Sequence, residues 1–392
     1  EELVEARRLR IPIVKRAEML AELMRFKTTV VIGGTHGKTT TTSLIAAILE
    51  KANFDPTVIN GGIINSYGSN ARVGSGDWMA VEADESDGSF LRLPATIAVV
   101  TNIDPEHLDF YGNYRKLKEA FKTFVENIPF YGFAVMCIDD SSIQSLMTEI
   151  TERRIITYGF SHQADIRATN LEITEYGTKF NLEISPRIDS QKSIIENLCS
   201  TIPGRHNVQN VLAACAISLE LGISSDNIRI ALRSFEGVKR RFSILGVYKE
   251  IKIIDDYGHH PMEIRSALSA VREITDGRVI AIIQPHRYSR LRDLFDDFTI
   301  SFNDADIVFI LDIYAAGEEP IDNINKENLI RSIRSAGHKD VRPCNNLDDL
   351  IMFSSKNILP KDSIIFLGAG SITNWARDLS DYFKERELSS YV

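Results

Sequence analysis

The chain has 392 residues and a net charge of −9, and 44% of its residues are hydrophobic while 25% are charged. This length and composition predict a globular protein of two or three domains. The negative charge argues against broad binding to nucleic acid or to an anionic membrane, and no apolar stretch is long enough to cross a bilayer. Because no signal peptide opens the chain, we expect a cytoplasmic protein.

Residues 1–26 predict two short helices separated by a segment that contains Pro12. In the second helix, apolar residues recur at the spacing of one packed helix face. The two helices are too small to form a domain, and the chain begins with Glu1 rather than methionine. We therefore expect them to be the end of a domain that lies upstream.

Residues 27–51 predict a strand, a glycine turn and a helix. Residues 29–32 are rich in β-branched side chains, glycines interrupt residues 33–37, and apolar residues then recur at helical spacing. A turn of this kind lets the backbone approach a phosphate closely, and it directs N–H groups and the helix N-terminus at the phosphate oxygens. The stretch therefore predicts a nucleotide-binding loop.

The loop reads GTHGKT at residues 34–39, which is shorter than the common G-x-x-x-x-G-K-S/T pattern because Ile32 stands where that pattern has glycine. Lys38 is expected to bind the terminal phosphates, and the Thr39 hydroxyl to bind Mg²⁺. The alternative is an ordinary glycine turn with Lys38 as a solvated charge. The threonines at 39–42 favour the nucleotide interpretation, because threonine is a mediocre helix former and such a run indicates hydroxyls used for ligands or capping.

An acidic segment follows the apolar strand predicted at residues 78–83. Its closely spaced carboxylates repel one another unless a cation or water screens them. Composition alone favours a solvated acidic loop, but nucleotide-hydrolysing folds hold their Mg²⁺ carboxylate at the end of such a strand. Glu82, inside the strand, is the first choice as Mg²⁺ ligand. Asp84, Glu85 and Asp87 are candidates for more remote metal contacts or for contacts with substrate.

A histidine lies in the loop after the next buried strand, which is predicted at residues 97–100. Loops at the carboxyl ends of strands are where open α/β sheets bind ligands. A lone histidine is usually structural, but His107 lies among Asp104, Glu106 and Asp109. We therefore expect His107 to contact a second metal ion or a phosphate.

The pattern changes after strands predicted at 133–138 and 155–158. Residues 165–184 alternate with period two around a Tyr-Gly turn, which predicts an antiparallel hairpin at the edge of the main sheet, and residues 186–197 resemble its exposed connection. A helix is predicted at about 208–221. Asn207 or a neighbour is a candidate cap for this helix, and Arg205 and His206 at its N-terminus are candidates to contact an anion.

The last part of the chain predicts a second doubly wound sheet. Residues 235–242 look like a domain junction, and one of their three consecutive bases is a candidate to neutralise a phosphoryl group. Beyond the junction, strands alternate with helices, and each strand is followed by polar residues. Residues 368–373 lack the third glycine of a dinucleotide fingerprint, so they predict a tight turn and not an NAD site.

The four cysteines are widely scattered and form no C-x-x-C pair, so we expect reduced residues and not disulfides, zinc ligands or nucleophiles. They are Cys137, Cys199, Cys215 and Cys344.

A magnesium-nucleotide loop in one α/β domain, followed by a second α/β domain with Arg, His and Asp at its strand ends, favours an ATP-dependent transferase or ligase. In such enzymes phosphate activates one substrate while the partner domain brings the second. The spacing alone does not name the substrate. A P-loop kinase and an ATP-binding protein without catalysis are the alternatives.

Several blocks of the sequence, taken together and in this order, resemble the Mur ligase family: GTHGKTTTT, EADESDGSF, TNIDPEHLDFYG, IPGRHNVQN, GVKRRF, DDYGHHPMEI, QPHRYSRLRDLF and DIYAAGEEP. The resemblance implies a central P-loop-type ATPase domain at residues 27–235, with a mostly parallel sheet and a small antiparallel β subdomain. A linker at 236–242 and a C-terminal Rossmann-like, doubly wound domain at 243–392 follow. Residues 1–26 are similar only to the end of the family's N-terminal UDP-binding domain, so a truncated product is expected.

The resemblance also implies a reaction, with ATP and Mg²⁺ as cofactors, in peptidoglycan precursor synthesis. The carboxylate of UDP-N-acetylmuramate takes the γ-phosphoryl group, and the amine of L-alanine attacks the resulting acyl phosphate. A family member that joins a tripeptide during murein recycling, and a truncated ATP-binding remnant without ligase activity, are the alternatives. A monomer or homodimer is expected.

The family's site residues carry over onto matching positions. Lys38 is expected to bind the β and γ phosphates, Thr39 and Glu82 one Mg²⁺, and His107 a second. The other expected nucleotide contacts are Gly34, Thr35, His36, Gly37, Thr40, Asn207, Asn210, Arg241 and Asp256. The expected substrate contacts are Asp84, Ser86, Tyr257, His259, His260, Arg287 and Arg290. The expected catalytic residues are Lys38, Glu82, His107, Arg241 and His260.

Overall fold

The computed structural model describes residues 1–189 and 193–389, and it divides the chain into two compact units. The first contains residues 1–172, 179–201 and 207–236, and the second contains residues 173–178, 202–206 and those from 237 onward. The short segments 173–178 and 202–206 group with the second unit, although the sequence places them in the expected domain 27–235. The last residues of the expected C-terminal domain, 390–392, lie outside the described residues.

Helices and strands alternate along the first part of the chain. The helices are α1 (Glu2–Arg8), α2 (Arg16–Met24), α3 (Lys38–Lys51), α4 (Leu108–Tyr111), α5 (Tyr114–Glu126), α6 (Ser141–Met147), α7 (Arg205–Glu220) and α8 (Ser225–Arg233). The strands are β1 (Thr28–Gly33), β2 (Thr57–Ile64), β3 (Ser69–Arg72), β4 (Trp78–Glu82), β5 (Ile97–Val100), β6 (Phe133–Cys137), β7 (Ile155–Gly159), β8 (Ile166–Thr174), β9 (Gly177–Ile184) and β10 (Ser193–Ser200). They form one ten-stranded sheet in the order β10-β9-β8-β7-β6-β5-β1-β4-β2-β3.

Parallel strands form the centre of this sheet. β1 pairs in parallel with β4 on one side and with β5 on the other, so that Ile32 lies opposite Glu82 and Gly33 opposite Val100. Val30 and its apolar neighbours on β1 are fully buried, as expected for a parallel strand covered on both faces. Because the carboxyl ends of parallel strands lie at the same edge of a sheet, the loops after β1, β4 and β5 lie side by side.

The edges of this sheet differ from the prediction. The adjacent glycines at 61 and 62 belong to strand β2, which pairs with β3. Residues 193–197, expected in an exposed connection, instead belong to β10 (Ser193–Ser200), while residues 190–192 of that connection lie outside the described residues. An available partner strand decides whether such a segment pairs, and local sequence does not reveal that partner. The predicted hairpin is present as β8 and β9.

The second unit is a smaller α/β sheet, as predicted. Its helices are α9 (Pro261–Glu273), α10 (Tyr288–Asp293), α11 (Phe295–Thr299), α12 (Lys326–Ser335), α13 (Leu347–Asn357) and α14 (Ile372–Ser389). Its strands are β11 (Ser243–Tyr248), β12 (Ile251–Asp256), β13 (Val279–Ile283), β14 (Ile307–Ile310), β15 (Val341–Pro343) and β16 (Ser363–Leu367). The order is β11-β12-β16-β13-β14-β15, and every pairing is parallel except that of β11 with β12. An apolar layer covers each face.

The cysteines and the helices agree with the composition. All four cysteines are free, and Cys137, Cys215 and Cys344 are buried. Among the described residues, every helix is too short or too polar to cross a lipid bilayer.

Ile364→Ala, in the central strand β16, is expected to lower the free energy of unfolding of the second unit by about 2–5 kcal/mol, because truncating a fully buried side chain leaves a cavity. The control is Met352→Ala in the same unit, which is 53% exposed and should change that free energy by less than about 0.5 kcal/mol. Urea denaturation followed by Trp375 fluorescence, in a Trp78→Phe background, measures both. Equal effects of the two variants would contradict the assigned core.

Candidate active site

Two glycines shape the loop between β1 and α3. Gly34 has a φ of 127° and Gly37 a φ of 81°, a region that favours glycine. A Cβ atom at Gly34 would lie 2.1 Å from the Thr101 hydroxyl, and a Cβ atom at Gly37 would lie 2.5 Å from Asn210 Oδ1. Only glycine fits at these positions, and the loop can therefore bring its backbone close to a phosphate at the N-terminus of α3.

The segment after β5 holds this loop in place. The Thr35 N–H group donates to the Asn102 carbonyl at 3.1 Å, and the His36 N–H group donates to Asn102 Oδ1 at 2.8 Å. The Thr101 hydroxyl donates to the His36 carbonyl at 2.6 Å, and the His36 ring lies 3.2 Å from an Asp104 oxygen. The loops after β1 and β5 therefore form one hydrogen-bonded unit.

Lys38 is the charged centre of the loop. Its Nζ donates to the Gly34 carbonyl at 2.6 Å, to the Thr35 carbonyl at 3.0 Å and to Glu85 Oε1 at 2.8 Å. Burial lowers the pKa of Lys38, but the charges of Glu85 and Glu82 outweigh burial, so the pKa lies above its ordinary value. Lys38 thus keeps its positive charge, as a phosphate-binding lysine requires.

Thr39 and Glu82, the predicted Mg²⁺ ligands, are brought together by the pairing of β1 with β4. The Thr39 hydroxyl donates to Glu82 Oε1 at 2.9 Å, and the Gly61 N–H group donates to Glu82 Oε2 at 2.6 Å. Mg²⁺ is normally coordinated by oxygen atoms, and a hydroxyl and a carboxylate both supply oxygen ligands. The pair fits such an ion beside residues 34–39, the predicted nucleotide-binding loop, which is called the phosphate loop below. The role of the pair as metal ligands stays a prediction.

A second group of ligand atoms lies next to Lys38. Atoms of Glu85, Glu106 and His107 all lie within 4.8 Å of one another. Glu85 is 4% exposed, and burial raises the pKa of its carboxyl group, although Lys38 opposes that rise. Glu85 Oε2 has no hydrogen-bond partner among the described residues. The group therefore fits the predicted second cation at His107, because a cation would satisfy this buried oxygen.

The asparagines of α7 lie against the first turn of α3. The Thr41 hydroxyl donates to Asn210 Oδ1 at 3.1 Å, and Asn210 Nδ2 donates to Asn207 Oδ1 at 3.3 Å. Asn207, Asn210 and Thr40 are all buried. These predicted nucleotide residues therefore lie near the phosphate loop, and their contact with nucleotide stays a prediction.

Asp84 and Ser86 lie on the loop after β4. The Ser86 N–H group donates to Asp84 Oδ1 at 3.0 Å, which makes a local turn, and Asp84 is exposed. This position at the strand-end edge is compatible with substrate binding, which stays a prediction for both residues.

In the second unit, Asp256 at the end of β12 is buried and binds backbone groups. Its Oδ2 accepts from the Phe242 N–H group at 2.7 Å, and its Oδ1 accepts from the Gly258 N–H group at 2.7 Å. Burial raises the pKa of Asp256, and the charge of Arg241 opposes that rise. The carboxylate joins two loops of the unit, and its contact with nucleotide stays a prediction.

Two consecutive arginines flank the ring of Tyr257. The Arg240 guanidinium lies 4.8 Å from the ring centre and that of Arg241 lies 5.2 Å from it. Arg240 donates to the Gly368 carbonyl at 2.5 Å, whereas Arg241 Nη1 lies 3.5 Å from Glu263 Oε1. Arg241 thus pairs with an anionic group, which is compatible with its predicted phosphate contact.

The start of α9 involves both predicted histidines. His260 is the N-cap and its Nδ1 accepts from the Met262 N–H group at 3.3 Å. A Glu263 oxygen accepts from the N–H groups of His259 and His260 at 3.1 and 3.3 Å, which completes a capping box. Pro261 is the first residue of the helix, where its missing N–H group costs nothing. The structural role of His260, which is 4% exposed, is helix capping, and its catalytic role stays a prediction.

His259 belongs to a row of rings at the strand-end edge of the second sheet. The ring centre of His259 lies 5.4 Å from that of Tyr257 and 5.7 Å from that of His286. His286 stacks on Tyr314, with ring centres 5.4 Å apart. A bridge between the ends of β13 and β14 places His286 and Tyr314 side by side.

Arg287 and Arg290 lie next to this row. The Arg287 N–H group donates to the Tyr314 carbonyl at 2.8 Å, and Arg290 Nη1 lies 3.3 Å from His286 Nδ1. Burial and the nearby positive charges lower the pKa of His286 to about 4, so its ring is neutral at pH 7. Two arginines beside a neutral ring provide a surface that suits a carboxylate or a phosphate.

The sequence alone does not indicate several of these contacts. Two of these residues did have a signal in the sequence. Glu106 adjoins His107 on a strand-end loop, and Glu263 follows His260 by three residues, which is the spacing of a capping box. No local pattern shows that Glu85, alone among the carboxylates of its segment, points inward to Lys38. The stacking of His286 on Tyr314 depends on strand order and has no sequence signal.

Two protein-family models match the chain. Residues 32–218 match the Mur ligase middle domain, and residues 240–370 match the Mur ligase glutamate ligase domain. The first match contains the phosphate loop with Glu82 and His107. The second contains Arg241 and the strand-end residues of the second sheet.

Curated relatives are similar over nearly the whole chain. The UDP-N-acetylmuramate–L-alanine ligase of Brucella anthropi is 55% identical over 385 residues, which cover 98% of this chain and 82% of the relative. The ligase of the same name from Chelativorans sp. is 56% identical over 389 residues, which cover 99% and 83%.

Solved structures have the same fold. The UDP-N-acetylmuramate-alanine ligase MurC of Thermotoga maritima superimposes with a TM-score of 0.79 at 29% identity, over 99% of this chain and 82% of that chain. The MurF ligase of Thermotoga maritima in complex with ADP gives a TM-score of 0.73 at 19% identity, over 97% and 86%. At this lower identity, the likeness to MurF shows the fold alone.

Gly37→Ala is expected to weaken ADP binding about tenfold or more, because the added Cβ would strike Asn210 and shift the loop. Gly112→Ala is a matched control, since Gly112 has a nearly equal φ of 78° but no atom within 4 Å of the added Cβ. Isothermal titration calorimetry measures both affinities. Equal losses in the two variants would show that backbone strain, and not the contact with Asn210, limits this position.

The second unit should lose stability in acid through His206. Burial and the charge of Arg241 lower the pKa of His206 to about 4, while Glu263 opposes them. The unfolded chain therefore binds more protons between pH 6.5 and 4, and the free energy of unfolding falls as the pH falls through that window. His206→Gln is expected to remove up to roughly 3 kcal/mol of this loss. Urea denaturation at pH 7 and pH 4 tests it, and an unchanged pH dependence would contradict the assignment.

Proposed function

The chain belongs to the Mur ligase family, and from this premise we propose that it joins L-alanine to the carboxylate of UDP-N-acetylmuramate with hydrolysis of ATP. The observation that carries the proposal is the 55% identity with a ligase of that name over 98% of the chain. That similarity includes the phosphate loop of the first unit and the basic strand-end loops of the second. The product is a precursor of peptidoglycan.

The reaction has to turn a carboxylate into an acylating group. A carboxylate does not acylate an amine in water, because oxide is a poor leaving group. Transfer of the γ-phosphoryl group of ATP to a carboxylate oxygen breaks the bond to ADP and forms an acyl phosphate. The L-alanine nitrogen then attacks the carbonyl carbon, loses a proton and expels phosphate as the amide forms. Each amide thus consumes one ATP and yields one ADP and one phosphate.

The first unit would bind the triphosphate. The loop backbone and the N-terminus of α3 would face the β and γ phosphate oxygens, and Lys38 would add a full positive charge. Phosphoryl transfer needs little covalent help from the protein but much charge stabilisation, so this arrangement suits the step. The buried asparagines of α7 hold that helix against the first turn of α3, because Asn210 contacts Thr41.

Magnesium, when bound, would neutralise charge that moves between the phosphates and the carboxylate. We assign Thr39 and Glu82 to one ion, because their oxygen atoms are already 2.9 Å apart beside the loop. We assign His107 to a second ion, with its neighbouring carboxylates.

The second unit would bind the groups that the reaction joins. Both the amino acid and the sugar nucleotide carry anionic groups, and Arg241, Arg287 and Arg290 are cations at strand-end loops of this unit. The aromatic rings of Tyr257 and His259 contact each other edge to face beside them. We assign substrate orientation to this set. Asp256 would act on the nucleotide indirectly, since both its oxygens bind backbone N–H groups.

Phosphate release with ATP, UDP-N-acetylmuramate and L-alanine tests the proposal. Release should require all three substrates, because the amine is needed to discharge the acyl phosphate. Replacing L-alanine with a muropeptide tripeptide distinguishes the recycling ligase. Accumulation of a stable phosphoryl ester without amine would instead identify a kinase.

Lys38→Ala is expected to reduce kcat/KM by about three orders of magnitude, because the charge that stabilises the transferring phosphoryl group is lost. The matched control is Lys51→Ala, which removes an exposed lysine from the last turn of the same helix and should leave the rate unchanged within about twofold. Phosphate release measures both, with circular dichroism as the check on folding. Wild-type turnover by a folded Lys38→Ala variant would refute the assignment.

A further inference from the structure

We propose that Glu85 is a positioning residue that holds Lys38 when no nucleotide is bound and releases it when a divalent cation binds among Glu85, Glu106 and His107. The inference rests on the proposed function, because it describes how the phosphate-binding lysine of that site becomes available. It couples cation binding to nucleotide binding within the first unit.

Lys38 is fully engaged in the described state. An ammonium group has three hydrogens, and Nζ makes three hydrogen bonds inside the protein. Two go to the Gly34 and Thr35 carbonyls, and the third goes to Glu85. A phosphate can bind Lys38 directly only when it replaces one of these partners. Glu85 is the partner that has to leave, because its negative charge repels the phosphate while the carbonyls belong to the loop itself.

Only one of the two oxygens of the Glu85 carboxylate has a hydrogen-bond partner among the described residues. Its Oε1 accepts from Lys38 at 2.8 Å, whereas its Oε2 has no hydrogen-bond partner among the residues that the structure describes. The residue is only 4% exposed, so water does not readily replace that partner. Buried polar atoms of native proteins are normally hydrogen-bonded, and an unmet acceptor costs free energy. A second electropositive partner for Glu85 would remove this cost.

Other ligand atoms for a cation are within reach of this carboxylate. His107 Nε2 lies 3.9 Å from Glu85 Oε1 and 3.9 Å from Glu106 Oε2. All three ligand atoms fall within 4.8 Å of one another. Ligands lie about 2.0–2.6 Å from Mg²⁺ or Ca²⁺, so atoms spaced in this way can share one ion after small side-chain movements.

Two arrangements of the same side chains follow. Without the cation, Glu85 neutralises Lys38 and blocks its access to phosphate. With the cation, Glu85 binds the ion, and a phosphate takes its place on Lys38. By linkage, the cation and the nucleotide then each strengthen the binding of the other. An ion pair that only stabilised the fold would not make nucleotide affinity depend on the cation in this way.

Glu85→Gln separates these interpretations, because glutamine keeps the size of the side chain but removes the charge that competes with phosphate. Its affinity for the ATP analogue AMP-PNP is compared with that of the wild type by calorimetry, once in EDTA and once with excess Mg²⁺. In EDTA the variant should bind the analogue about tenfold more tightly than the wild type. With Mg²⁺ this advantage should disappear or reverse, because the variant has lost a ligand for the cation.

Two further variants control the experiment. Glu106→Gln leaves the pair of Lys38 and Glu85 in place, so it should match the wild type in EDTA and bind more weakly with Mg²⁺. Asp77→Asn removes one negative charge just before strand β4, and Asp77 is exposed. Its affinity should change by less than about twofold in both buffers.

The outcomes also distinguish this inference from the proposed function. Weaker binding by Glu85→Gln in both buffers would mean that the pair is structural and would overturn the inference. Equal affinities of Glu85→Gln and the wild type in EDTA would overturn it as well. In both cases, wild-type binding of AMP-PNP with Mg²⁺ would leave the proposed function standing. A wild-type chain that bound no nucleotide with Mg²⁺ would overturn both.

Discussion

The parallel pairing of β1 with β4 and β5 is the constraint on which the first unit depends. It fixes Ile32 opposite Glu82 and Gly33 opposite Val100, so three loops distant in sequence begin at one edge of the sheet. The phosphate loop, the acidic segment and the histidine loop are therefore neighbours before any ligand binds. A shift of register along β4 would move Glu82 away from Thr39 and separate the two predicted ligands of one ion.

Charged side chains are concentrated at this edge of the first sheet, and their burial has energetic consequences. Removing a lysine and a carboxylate from water costs free energy, and their attraction offsets that cost only when the geometry is excellent and their other hydrogen bonds are made. Lys38 and Glu85 nevertheless lie 2.8 Å apart at the centre of the site. Under the proposed function each member would have another partner, phosphate for the lysine and a cation for the carboxylate. The proposed exchange of partners would account for an ion pair at this place that contributes little to stability.

The second unit repeats the same geometry with different chemistry. The loops that follow its parallel strands again lie at one edge of the sheet. In this unit they carry arginines and aromatic rings, whereas the first unit has the phosphate loop at that position. Both oxygens of Asp256 and one oxygen of Glu263 accept from backbone N–H groups, which fixes the loops that carry Tyr257 and His259. The other Glu263 oxygen lies 3.5 Å from Arg241 Nη1. Acidic side chains therefore shape this edge, and under the proposed function its arginines would bind the anionic groups of the substrates.

The sequence by itself determined the α/β class, both sheets, the glycine loop before α3, the place of Glu82 in a strand that leads into an acidic segment, and the place of His107 in a strand-end loop. These features follow from local periodicity, from the placement of glycines and from residue chemistry. All three can be recognised from residues that are close together in the sequence. Only the tertiary structure decided that Glu85 turns inward to Lys38, that residues 193–200 pair as an edge strand, and that His286 stacks on Tyr314. Each of these depends on a partner far away in sequence, and a linear pattern carries no information about which distant segment becomes a neighbour.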